Sequence, residues 1–250
     1  MGIASKLHDD DPVARALKDA IRAGDLASLR RLLAENPGLA SARIANREGA
    51  SSTPLHVVTD WPGFFPNGPA VVDALIEAGS DPNARCEGGS HAETPLHWAA
   101  SSDDVEVLDA LIDAGADVEA PGASIAGGPP LDDAVGYGQW HAARRLVDRG
   151  ARVDRLWHAA ALGMTSRVEE LMAATPPPVP DEVSEAFWQA CHGGQRRTAE
   201  YLLARGADLN WVPSYTEATP LEISASLSTR RQNLVIWLRE QGARAAGDPN

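Results

Sequence analysis

With 250 residues, 44% of them hydrophobic, the chain is long enough to bury a sizeable core, while 35 acidic against 22 basic residues give a formal charge of −13. That excess repels phosphate backbones and anionic bilayer surfaces, so neither nucleic acid nor a membrane is an expected partner. Cys86 and Cys191 alone cannot make a disulfide framework, and no stretch reaches the ~18 apolar residues of a transmembrane helix, which leaves a reducing cytoplasm as the expected compartment. Taken in order, Met1 to Lys6 lacks the apolar core of a secretory signal, and Lys6 stands where a myristoylation site wants Ser or Thr. Asp9-Asp10-Asp11-Pro12 then starts a helix with Val13, Leu17, Ala20 and Ile21 on one face, and Gly24-Asp25 turns it. Leu26, Leu29, Leu32 and Leu33 carry a second helix, so residues 12–36 read as a helix pair that closes the amino end of the core.

Residues 39 to 52 form the first long connection. At Thr53-Pro54-Leu55-His56 the Thr hydroxyl can cap a helix whose first position is a proline, where no donor is lost, and Gly79 offers the left-handed stop. Between them lies an insertion, Asp60-Trp61-Pro62-Gly63-Phe64-Phe65-Pro66-Asn67-Gly68, with three aromatics among prolines and glycines. It reads either as an apolar loop folded on its own repeat or as an arm over a binding groove. The same start and stop recur at Thr94 and Gly115, around a helix with Leu96, Ala99 and Ala100 and a second with Val105, Leu108 and Ile112.

The segment 121–128 is glycine-rich and nearly uncharged, with backbone donors that could face a ligand. Pro129-Pro130-Leu131-Asp132 opens the next pair, which runs to Gly150. Leu156-Trp157-His158 follows after about four residues, so one connection is nearly missing, and Thr175 to Pro180 replaces another with a stiff proline loop. These irregular connections flank Trp157 and His158 and mark a candidate pocket. Phe187-Trp188-Gln189 lies in the next pair, which stops at Gly206, and Thr219-Pro220-Leu221-Glu222 opens the last, whose second helix mixes Leu234, Val235, Trp237 and Leu238 with Arg230, Arg231, Arg239 and Glu240. The tail from Ala245 is expected to be disordered.

Thr53-Pro54-Leu55-His56, Thr94-Pro95-Leu96-His97 and Thr219-Pro220-Leu221-Glu222 are one start, and Gly79-Ser80-Asp81, Gly115-Ala116-Asp117 and Gly206-Ala207-Asp208 are one stop. Thr94 to Pro129 spans 35 positions and Gly79 to Gly115 spans 36, near the ~33 of the ankyrin repeat, which these motifs resemble over nearly the whole chain. The resemblance implies an all-α solenoid of stacked helix-turn-helix hairpins with β-hairpin fingers. It implies about six repeats, at 53–79, 94–115, 129–150, 155–174, 182–206 and 219–242, behind the capping pair, in a single domain over residues 1–250.

In that family partners dock on the concave surface made by finger tips and the exposed side of each first helix. Carried over position by position, this predicts an exposed column of Val57, Trp98, Asp133, His158, Gln189 and Ile223. One turn on lie Trp61, Ser102, Tyr137, Leu162, Gly193 and Leu227, with Asp60, Ser101, Gly136 and His192 at the border. The motif imidazoles of His56 and His97 are expected to hold neighbouring loop backbone, and no metal site is expected because adjacent helices stand too far apart to share one ion. His158 is offset from the motif position, with Asp133 as its predicted neighbour, and the pair reads either as a general acid and base or as a surface hydrogen bond.

Trp140, Trp157, Trp188 and Trp237 read as packing residues, whereas Trp61, Trp98 and Trp211 read as recognition residues. The leading expectation is a binding module for a protein or peptide of basic character, without cofactor. Its contact residues are Asp60, Trp61, His91, Trp98, Ser102, Asp133, Tyr137, His158, Gln189, His192 and Trp211. The alternative is a small-molecule binder or enzyme using Asp133 and His158.

Overall fold

The computed structural model describes residues 6–226 and 231–247. Leu227, Arg230, the first five residues and the last three therefore lie outside the described residues, together with the expectations placed on them. The chain divides into two compact units, Met1–Ala151 and Arg152–Asn250. Both are stacks of short helix pairs, with a small sheet at the start of the first.

In the first unit, α1 (Pro12–Ala23) starts where Asp11 accepts the N–H groups of Val13 and Ala14 at 2.8 and 3.4 Å, and stops at Gly24 in the left-handed region. Asp25 then caps α2 (Leu26–Glu35). The pairs α3 (Pro54–Thr59) with α4 (Gly68–Glu77), α5 (Pro95–Ser101) with α6 (Val105–Asp113), and α7 (Pro130–Gly136) with α8 (Trp140–Asp148) follow. The first helices stack in the series α1, α3, α5, α7 and the second helices in the series α2, α4, α6, α8. Leu17, Leu55, Leu96 and Leu131 occupy one core row and Leu29, Leu75, Leu111 and Leu146 another, all fully buried. No hairpin closes a core alone; each buries its apolar face on its neighbours.

Two motif imidazoles fasten neighbouring repeats. Nδ1 of His56 faces the N–H and hydroxyl of Thr53 at 3.2 and 2.9 Å, so it must be the acceptor, and Nε2–H donates to the carbonyl of Glu93 at 3.2 Å. His97 repeats this with Thr94 and the carbonyl of Gly128, at 3.3 Å. In the third repeat Asp132 takes the motif position, and its Oδ2 accepts the N–H of Gly128 at 3.1 Å within its own repeat. A carboxylate has no hydrogen to offer a carbonyl.

The fingers differ from the expected hairpins. Among the described residues only the first connection forms strands, β2 (Arg43–Ala45) antiparallel to β3 (Ser51–Ser52). An unforeseen strand, β1 (Lys6–His8), adds in parallel to β2, and Ser51 bridges to Glu87 of the next connection. The segment 121–128 is instead a closed loop, joined by Gly122 N–H to Gly127 O and Ala123 N–H to Gly128 O at 3.1 and 3.0 Å. It has little of the β-branched and aromatic content that strands favour.

The second unit holds α9 (Leu156–Ala161), α10 (Thr165–Met172), α11 (Pro180–His192), α12 (Arg196–Leu203), α13 (Pro220–Ala225) and α14 (Gln232–Glu240). There α9 packs on α11 and α11 on α13, while α10 meets α12. The helix α11 begins at Pro180, earlier than the motif suggests, because Glu182 Oε2 accepts the N–H of Val179 at 2.9 Å and fixes the start.

Candidate functional site

In the first unit Trp98 follows His97 by one residue on α5. His97 turns into the repeat junction, and the next position rotates about 100° to the open side. The Trp98 ring stands edge-on to His56, centroids 5.0 Å apart, and Nε1–H donates to Glu93 Oε2 at 3.1 Å. Glu93 thus holds His56 through its carbonyl and Trp98 through its carboxylate.

Depressions open on both sides of this indole. One, of about 490 Å³, has Lys18, Arg22 and His91 among its walls and Val57 beneath. The other, of about 580 Å³, is lined by Trp61, Ser101, Ser102, Ser124, Tyr137 and Gln139 among others. Asp60, Glu93 and Trp98 belong to both. Asp60 reaches Arg22 across 3.0 Å, and that guanidinium lines only the smaller depression. Among the contact residues expected from sequence, Asp60, Trp61, Trp98, Ser102 and Tyr137 are brought together at the larger depression and His91 at the smaller.

The insertion does not arch over this surface as a whole. Trp61 faces the larger depression, whereas Phe64 and Phe65 line a groove with Val105, His141 and Arg144. Asn67 Nδ2 donates to Gly24 O at 2.9 Å, and Phe64 N–H to Asp104 Oδ2 at 2.7 Å, so the loop is tied down at two points.

Asp133 is a correction: it is fully buried on α7. Its Oδ1 accepts the Ser124 hydroxyl at 2.9 Å and the Ile125 N–H at 3.0 Å, and Ser124 Oγ lies 2.9 Å from Tyr137 Oη. Desolvation pushes its carboxyl up to about 7, against those hydrogen bonds and with help from the charges of Glu93 and Asp132. The glycine-rich loop presses on α7 because Gly136 has no side chain; a Cβ there would meet Ile125 at 2.8 Å. The loop's N–H groups at Gly122, Ala123, Ile125 and Gly128 are taken by the chain itself, so these four do not face a ligand.

The rest of the exposed column is also corrected. Val57, His158 and Gln189 are buried, Ile223 is half-buried, and Ser102 one turn on is buried. The first helices have few turns, and loops close over positions that a bare helix would leave open. In the second unit His158 packs against the Trp157 ring at 4.0 Å between centroids, and Gln189 Nε2 donates to Tyr215 Oη at 3.2 Å. His192, expected at the border, is buried, packs against Trp188, and is held down to about 4 by desolvation. Trp211 is half-buried. The proline stretch does roof a depression, of about 660 Å³, lined by Trp157, Leu171, Pro177 and Glu185 but not by His158. Neither Asp133 nor His158 lines any of these depressions.

Sequence reasoning missed Glu93 and Ser124 as wall residues. Glu93 immediately precedes the Thr94 start, and that place in the phase was the available signal. A family model described as ankyrin repeats (3 copies) matches residues 17–122 and 64–155, together more than half of the chain. No curated protein matches it. No helix among the described residues is long and apolar enough to cross a membrane.

Proposed function

Because the chain belongs to the ankyrin repeat family, we propose that it captures a protein or peptide partner of basic character on the open face of the first unit, around Trp98. Ankyrin repeats are protein-interaction modules. The observation that carries this reading is the sharing of Asp60, Glu93 and Trp98 between two adjoining depressions, a continuous surface with an aromatic centre and carboxylate walls. Trp61 is 75% exposed and Tyr137 51%, so large rings stand uncovered beside that centre. Exposed aromatics of this kind supply contact area at low entropic cost, and the carboxylates draw basic partners from a distance. A cytoplasmic location is part of the same proposal.

Arrays of basic and acidic peptides of matched length, probed with the intact chain and with Trp61→Ala and Glu93→Gln, test the reading. Basic peptides should be retained, and both variants should lose them. Retention that ignores peptide charge or ignores both substitutions would sink it.

A further inference from the structure

We propose that the larger depression beside Trp98 is a binding site for an alkylated ammonium group. Three aromatic side chains, Trp61, Trp98 and Tyr137, and two carboxylates, Asp60 and Glu93, stand in its wall, and no Lys, Arg or His does among the described residues. Four other depressions each carry at least one basic side chain: Lys18 and Arg22 in the smaller neighbour, Arg30 behind α2, Arg155 under the proline stretch, and Arg144 beside Phe64. This combination selects charge and shape together. Two carboxylates in a wall that holds no basic side chain, one of them paired with Arg22 from the neighbouring depression, disfavour an anion, while the negative faces of aromatic rings attract a positive group that has shed its water.

A bare ammonium is strongly hydrated and gives up water at a cost. Alkylation spreads the charge over methyl groups, weakens that hydration and adds apolar area, which suits rings better than a compact point charge. The carboxylates are steadied by the chain: Glu93 Oε2 accepts the Trp98 indole N–H, and Asp60 is held by Arg22 from the neighbouring side. Neither is arranged to wrap a bare metal ion. The volume of about 580 Å³ leaves room for a quaternary head and part of the chain that bears it.

The inference deepens the partner reading, since it uses the same surface, but the two fail separately. The intact chain is titrated with choline and with its uncharged carbon isostere, 3,3-dimethylbutan-1-ol, while the indole N–H signals of Trp61 and Trp98 are followed by NMR, assigned with Trp61→Phe and Trp98→Phe. Choline should bind about tenfold more tightly than the isostere, equivalent to ~1.4 kcal/mol, and should shift both signals. Trp61→Ala, which removes an exposed ring, should lose most of that discrimination without unfolding the chain. Equal affinities for the two probes, or no shift with either, overturns the inference while leaving basic-peptide capture intact.

A second arm uses capped Nε-trimethyllysine against capped lysine. Preference for the trimethylated form supports a peptide side chain as the source of the group. Choline discrimination without any response to capped trimethyllysine supports the cation site with a free small molecule as its ligand, and counts against the partner reading.

Discussion

Asp104 and Phe64 are joined through one carboxylate: Asp104 Oδ2 accepts the Phe64 N–H at 2.7 Å, while its Oδ1 accepts the Val107 N–H at 3.2 Å and caps α6. A single buried side chain therefore starts a helix and holds the aromatic insertion of the preceding repeat. Asp104→Ala leaves two N–H groups without their acceptor and should cost about 2–4 kcal/mol in denaturant unfolding. Hydrogen exchange at the Phe64 amide should accelerate. Unchanged exchange there would show that the insertion is held without Asp104.

The second tie is at Gly24, whose carbonyl accepts Asn67 Nδ2–H and against which Pro66 packs. Gly24 has φ +62°, and a Cβ at that position would stand 2.1 Å from the Pro66 carbonyl oxygen. Gly24→Ala should lower stability by ~2–4 kcal/mol, combining left-handed strain with displacement of the insertion. Gly79 also has a positive φ, +98°, but open space around it, so Gly79→Ala should cost only the ~1–2 kcal/mol of strain. Thermal melts of the two variants separate crowding from strain.

The buried imidazoles set the response to acid. Burial first, and a Nδ1 already facing donors, depress His56 and His97 to about 4 from 6.5. Between those values the unfolded chain takes up protons that the folded chain refuses. The contribution of each is therefore complete above about pH 6.5 and declines as pH falls toward 4, on the order of 1 kcal/mol per pH unit. Asp133 has the opposite sign: raised to about 7, it binds a proton in the folded state that the unfolded carboxyl loses above 3.8, so its contribution declines as pH rises. Asp133→Asn should steepen the acid-side loss in melting temperature. An unaltered pH profile would refute this assignment.

Trp61→Ala and Trp98→Ala should both weaken partner capture, each by about tenfold or more. Only Trp98→Ala should also reduce stability, since its ring packs on His56 and Trp61 is 75% exposed. Binding and melting measured on the same preparations distinguish the two.

The helices were legible because their signals are local. Thr53, Thr94 and Thr219 before proline, and Gly79, Gly115 and Gly206 at the stops, mark the ends that the structure shows. The role of His56 and His97 followed instead from the resemblance to the ankyrin repeat, since the carbonyls they hold lie in the next connection. Burial along the first helices was not legible, because it depends on what the loops do. Ile125 and Ser124 close over Asp133 from the preceding loop, and Tyr215 covers Gln189 from the following connection, so the contacts come from outside the helix itself. The strand Lys6–His8 escaped notice because its three residues carry no periodicity. Trp61 and Trp98 were expected on the open face from chemistry and phase, and both line the larger depression, whereas the shared wall of Asp60 and Glu93 emerges only in the folded chain.

The imidazole clasp also governs how such a chain can grow. His56 grips the carbonyl of Glu93, the residue just before Thr94, and His97 grips that of Gly128, just before Pro129. In a duplicated segment running from Thr53 to Glu93, each copy would carry an imidazole and the carbonyl that it grips. Lengthening by whole repeats thus leaves every clasp matched, while a deletion out of phase strands a buried ring and a buried carbonyl together.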